Sequence, residues 1–137
     1  LNYDLSEMML KKAKASLRSA MSDIDKNDSL DRAISSLYYA SFQSVVSLMI
    51  LRGESSSKHK YVRQYVNKTL VIQDKVLPEL GRMYNRLMDS RADADYDPTI
   101  SFTLGEAKLM LDNVVRFVDR LEEIIISEKQ SQDMKLF

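Results

Sequence analysis

Only three glycines and two prolines interrupt this chain of 137 residues. A many-stranded sheet needs a turn signal every ten residues or so, so this scarcity of breakers points to long helices. Apolar residues recur at helical spacing where the expectation places them. The stripe Leu5, Met9, Ala13, Leu17, Ala20 and Ile24 predicts a first helix, with Asp4 as cap, Glu7 three residues on, and an end near Lys26-Asn27. Asp28 or Ser29 caps a second helix carrying Ala33, Leu37, Ala40, Val45, Leu48 and Leu51, with Arg52 in its last turn and Gly53 as its stop. Its small residues Ala33, Ser36, Ala40, Ser41 and Ser44 favour close packing. Tyr38 and Tyr39 must point about 100° apart, one into the core and the other to a polar neighbour or an interface.

A flexible Glu54-Ser55-Ser56-Ser57 linker leads to a short third helix with Val62, Tyr65, Val66 and Leu70, opened by Ser57 and holding His59 in its first turn. A fourth helix is expected from about Asp74 to Met88, tolerating Pro78 early and turning Leu77, Leu80, Tyr84 and Leu87 inward. Thr103-Leu104-Gly105-Glu106 is a capping box for the last helix, whose inner residues are Ala107, Leu111, Val114, Val118, Leu121 and Ile125. Val115, Phe117, Ile124 and Ile126 widen that stripe, which suits either a buried central helix or a homodimer surface. The expected product is an all-α, four-helix up-and-down bundle with an additional short helix. It forms one domain over 1–127, followed by a polar tail over 128–137 that is expected to fray.

With 45% apolar and 29% charged residues the composition is that of a soluble globular domain. No cysteine is present, which excludes disulfides and thiolate metal sites and makes a reducing cytoplasm the natural home. No run is read as a membrane span of about 20 apolar residues and no secretion signal is visible. The chain begins with Leu1 rather than methionine, so at least one residue is expected to precede it.

Twenty basic and twenty acidic residues cancel, which argues against coating nucleic acid by bulk charge, yet their distribution is uneven. From Arg52 to Lys68 five bases (Arg52, Lys58, Lys60, Arg63, Lys68) face one acid, Glu54, a local charge of +4. Asp89 to Asp97 holds four acids and Arg91, a charge of −3, and reads as a polar island between two helical stretches. The two segments have the charge either to attract each other or to serve different ligands. Asp93, Asp95 and Asp97 superficially resemble a calcium loop, but Pro98 stands where the turn glycine belongs and Leu104 where the closing glutamate belongs, so an EF-hand is rejected. No metal or cofactor is implied.

His59 is the one histidine, set between Lys58 and Lys60. Imidazole takes and gives a proton near neutrality, and neighbouring cations favour its neutral form. Metal-free RNA cleavage needs a base for the 2′-hydroxyl and a cation for the phosphate, so His59 with Arg91, or with Arg52 six residues upstream, is a minimal kit.

Tyr38-Tyr39-Ala40-x-Phe42, the Leu51-Arg52-Gly53 ending, Lys58-His59 and Arg91-x-x-Ala94-Asp95-Tyr96-Asp97 together resemble the HEPN superfamily, specifically its small prokaryotic branch, over about Leu5 to Ile126. That resemblance implies a dimerising helical bundle, often the toxin-like partner of a minimal nucleotidyltransferase, with many relatives acting as metal-independent RNases. The usual nuclease motif pairs an arginine with a histidine just before the last long helix. Here the matching positions hold Arg91, Ala92 and Tyr96, and a tyrosine with an ordinary pKa of about 10 is a poor base at neutral pH. Tyr96 is also the candidate acceptor for adenylate.

Three readings follow. In the first, a homodimer binds RNA or nucleotides and acts as a toxin-type RNase, with Arg91 on phosphate, His59 as base, Tyr96 as a positioning or acceptor group, and Arg52, Lys58, Lys60 and Arg63 along the backbone. The second is a non-catalytic module docked on a nucleotidyltransferase, and the third a purely structural bundle.

Overall fold

The computed structural model describes residues 2–54 and 56–135. Among them the chain forms five α-helices and no strand: α1 (Tyr3–Asp25), α2 (Leu30–Leu51), α3 (His59–Tyr65), α4 (Pro78–Tyr96) and α5 (Leu104–Lys135). Alpha3 runs directly into a π-helical turn over Val66–Leu70, where the Val71 amide reaches back to the Val66 carbonyl at 3.0 Å. The all-helical bundle with one short extra helix is therefore the observed architecture.

Alpha2 is the centre. Besides the stripe residues Ala33, Leu37, Ala40, Val45, Leu48 and Leu51, it buries Ile34, Tyr38, Val46, Met49 and Ile50, so it is apolar on nearly every side and packs against α1, α4 and α5. Contrary to the expectation of no membrane-length run, Leu30–Leu51 is long and apolar enough to cross a bilayer, but most of it is covered by the other helices. Small residues set the approach of α1. Ser6 donates to the Ser47 carbonyl (2.9 Å) and Ser47 to the Ser6 carbonyl (2.6 Å), so two buried hydroxyls satisfy each other's backbone across the contact. Asp23 closes the other end of this pair on Arg32 at 2.7 Å, and Lys14 pairs with Glu122 to tie α1 to α5.

Several boundaries differ from the sequence reading. Alpha1 starts at Tyr3 with Asn2 in the cap position, so Asp4 acts in the first turn rather than as cap, and Leu5 is exposed while Ser6 and Leu10 face inward. Ser29 occupies the α2 cap position in a left-handed conformation without a capping bond. At the far end Gly53 adopts φ 77°, and the Gly53 and Glu54 amides close on the Ile50 and Met49 carbonyls, the two bonds of a Schellman turn. Of the expected linker, Ser55 lies outside the described residues. Lys58, not Ser57, holds the α3 cap position.

Alpha4 cannot start at Asp74, which is itself left-handed at φ 58°. It begins at Pro78, whose missing amide hydrogen costs nothing at the first helical position, and Leu77 is exposed rather than inward. More consequential is its other end. The acidic island is not a loop, because α4 continues through it to Tyr96. Gly81 lets α4 pass close to the π-helical turn, since a Cβ there would lie 2.9 Å from Val71 Cγ2.

The α5 capping box forms as read, with the Thr103 amide on Glu106 Oε1 (3.0 Å) and the Glu106 amide on Thr103 Oγ1 (3.1 Å). Phe117 and Ile124 are buried, which favours the buried-helix explanation of the broad apolar stripe, while Ile126 remains exposed. The helix runs on through Lys135, past the point where a fraying tail is expected. Glu128 anchors it to Arg52 at the C-terminus of α2, and Asp133 accepts from the Tyr3 hydroxyl at 3.2 Å.

Candidate functional site

Three helices converge on one aromatic shelf. Alpha2 supplies Tyr38, Tyr39 and Phe42, the opening turn of α3 supplies His59, and the last two turns of α4 supply Arg91. The His59 ring lies nearly parallel to Phe42 (centroids 4.5 Å apart, 15°) and to Tyr38 (5.5 Å, 19°), and Tyr39 meets it edge-on at 6.0 Å. These rings leave the imidazole little rotational freedom. Its Nδ1 is 2.5 Å from the Tyr38 hydroxyl, which fixes the remaining torsion.

Arg91 covers the same shelf from the other side. Its guanidinium carbon sits 5.5 Å from the Tyr38 ring centre and 5.2 Å from that of Tyr39, within cation–π range of both. Asp95 one turn on pairs with it at 3.3 Å. The Arg91 Nε is shielded from solvent and has no hydrogen-bond partner among the described residues, and the same holds for the Tyr84 hydroxyl, whose ring is 5.9 Å from that of Tyr38.

Electrostatics follow from this packing. Burial, reinforced by the positive charge of Arg91, holds the His59 imidazole below its ordinary pKa, so the ring is neutral at physiological pH. Burial pushes the Tyr38 and Tyr84 phenols up, keeping both protonated. A neutral imidazole, a fixed phenol and a guanidinium thus share one shelf. The expected phenol, Tyr96, is not the one present: it is 90% exposed at the end of α4. The signal that points to Tyr38 lies in the Tyr-Tyr-Ala-x-Phe run, where one aromatic must meet a polar partner.

The basic candidates divide. Lys58 and Lys60 flank His59 and are exposed. Arg63, one turn along α3, bonds Asp89 through both terminal nitrogens (2.9 and 3.2 Å), so the basic and acidic segments do attract each other. Arg52 is occupied by other partners. It reaches Glu128 through Nε (3.0 Å) and Nη2 (2.6 Å) and the Tyr65 hydroxyl through Nη1 (2.8 Å). Burial works against its charge, but these bonds outweigh it and hold the guanidinium above the ordinary arginine value. Among the described residues no group of three His, Cys, Asp or Glu side chains could hold a metal.

The all-helical bundle agrees with comparison to known proteins. The chain belongs to the HEPN family: the HEPN domain model matches residues 6–124. It is similar to a UPF0332 protein of Thermotoga maritima, 34% identical over 106 residues that cover 77% of this chain and 80% of that protein. It is also similar to a protein of Methanocaldococcus jannaschii named "Putative toxin", 28% identical over 122 residues, 89% of this chain and 82% of its relative.

Proposed function

We propose that the chain binds RNA at the His59 shelf and cleaves it without a metal, in the role of a toxin. The observation that carries this reading is the hydrogen bond between His59 Nδ1 and the Tyr38 hydroxyl beside Arg91. When Nδ1 carries the proton and donates to the Tyr38 oxygen, Nε2 keeps its lone pair and is a base. It removes the proton of a ribose 2′-hydroxyl as that oxygen attacks phosphorus, Arg91 stabilises the charge on the phosphate oxygens, and the imidazolium returns the proton to the departing 5′-oxygen. The products are a 2′,3′-cyclic phosphate and a 5′-hydroxyl. Lys58 and Lys60 guide the strand, and the similarity to a relative named as a toxin supports the cellular role.

RNA incubated with protein in excess chelator tests this. Cleavage by the native chain should fall at least about a hundredfold in His59→Ala and in Arg91→Ala. Unchanged cleavage in both variants removes the assignment.

A second reading is favoured by Tyr96, whose exposed phenol at the end of α4 is open to a modifying enzyme. In it the chain, as a homodimer, is the non-catalytic partner of a minimal nucleotidyltransferase that adenylates Tyr96. Co-purification of the two with a mass increase lost in Tyr96→Phe supports it; a mixture that forms no complex counts against it.

A further inference from the structure

Next to the shelf, α3 and the π-helical turn form a groove with α4. It is an open trough of about 510 Å³ between Lys60, Arg63, Gln64, Asn67 and Lys68 on one side and Asn85 and Met88 on the other. Its polar centre is a pair of carboxamides. Asn67 Nδ2 donates to Asn85 Oδ1 at 2.8 Å, and Asn85 Nδ2 donates back to Asn67 Oδ1 at 3.2 Å. The orientation of both is dictated by neighbours that have no choice of role. The Arg63 carbonyl can only accept, and it takes a second proton of Asn67 Nδ2 at 2.8 Å; Arg63 Nε can only donate, and it faces Asn85 Oδ1 at 3.2 Å.

Counting what is left gives a definite pattern. Asn67 Nδ2 and Asn85 Oδ1 are used up, whereas Asn85 Nδ2 keeps one hydrogen and Asn67 Oδ1 one lone pair. An unspent donor therefore stands beside an unspent acceptor in a groove that Met88 also lines. Arg63 is held by Asp89 and acts as scaffold, which leaves Lys60 and Lys68 as the exposed cations at the rim. Every nucleobase has a flat apolar face and an edge on which a donor adjoins an acceptor, and each is joined to a phosphate.

We infer that this groove binds one unpaired nucleotide of a single-stranded RNA, its base lying against Met88 with its edge on the Asn67–Asn85 pair and its phosphates on Lys60 and Lys68. The inference rests on the RNA reading of the adjoining shelf and adds how the strand is held. Lys60 follows His59 directly and Arg63 lies one turn beyond it, so a strand seated in the groove passes the imidazole within a nucleotide or so.

The test uses His59→Ala protein, which retains the groove, and short fluorescent homopolymers of A, C, G and U followed by anisotropy. Adding Lys60→Glu and Lys68→Glu should weaken binding at least about tenfold and reduce the slope of log Kd against log salt by about 1.4, two phosphate contacts on a single strand. Adding Asn85→Asp replaces the donor nitrogen by an oxygen, which removes both the free donor and the bond to Asn67 Oδ1, and should weaken binding to all four homopolymers at least about fivefold. Unaltered affinity and salt slope in the lysine variant overturn the inference, as does an Asn85→Asp protein with the affinity of its parent. These outcomes are separable from the catalytic reading: chelator-resistant cleavage that persists in His59→Ala removes the base, whereas loss of groove binding in the lysine variant is read with no cleavage at all.

Discussion

Arg52 distinguishes a structural cation from a ligand-binding one, and its environment sets the size of the effect. The side chains of Arg52 and Glu128 are 18% and 27% exposed, between the surface pair, worth about 0–1 kcal/mol, and the buried pair, whose breakage costs about 3–5 kcal/mol. Arg52 also bonds Tyr65, so its removal leaves a carboxylate and a phenol short of a partner. Arg52→Ala is expected to destabilise the fold by about 2–3 kcal/mol, roughly 10 °C in Tm for a domain of this size. Urea unfolding followed by circular dichroism at 0.1 M salt, on native, Arg52→Ala, Glu128→Gln and the double variant, should show a coupling of about 1–2 kcal/mol. RNA affinity should change less than about twofold, since a loss of more than that exceeds what stability alone explains. A coupling below about 0.5 kcal/mol, together with a tenfold loss of RNA affinity, would refute this reasoning and make Arg52 a nucleic-acid contact.

His59, Tyr38 and Thr103 each carry a measurable consequence. Because His59 titrates lower in the folded chain than its ordinary value of about 6.5, the unfolded chain binds that proton first. The stability it supports is complete above about pH 6.5 and lost as pH falls through the lower folded value, so Tm should drop more between pH 7.5 and 5.5 in the native chain than in His59→Gln; equal drops would contradict it. Tyr38→Phe removes one hydrogen bond from the base and should lower cleavage about fivefold, the equivalent of about 1 kcal/mol, whereas Tyr96→Phe should leave cleavage unchanged, and the reverse order in a chelated RNA assay would relocate the site. Thr103→Ala breaks the capping box and should cost about 1 kcal/mol in a thermal melt, an unaltered Tm indicating that α5 starts without it.

Helix identity was legible because the apolar spacing of α2 and α5 extends over many turns. Their ends were less so. Asp4 and Ser29 have cap-forming side chains, but Asn2 holds the first cap position and a left-handed backbone at Ser29 holds the second. The acidic island differs from its sequence pattern for a physical reason: four aspartates within nine residues resemble a loop, whereas Arg91 within α4 and Arg63 from α3 neutralise enough of that charge for the helix to persist. His59 and Arg91 were identifiable by chemistry alone, as the single imidazole and the single cation of the island. Their shared contact with Tyr38 depends on which way α2 faces, and residue order could not show that. The Asn67–Asn85 pair bridges two helices 18 residues apart and has no local sequence signature.

Arg91 rides on the least secured part of its helix. The last turns of α4 carry Asp89, Asp93 and Asp95, and its final turn has no base, so the partial negative charge at a helix C-terminus meets like charges. Amide hydrogens from Asp93 to Tyr96 should accordingly exchange with solvent well before those of Leu80 to Leu87, which the core covers. A single contact, Arg91 Nη2 to Asp95 at 3.3 Å, ties the guanidinium to these turns. Ionic strength should therefore set how firmly Asp95 holds the guanidinium, because salt screens a half-exposed ion pair, whereas the tyrosine rings beneath it hold at any salt.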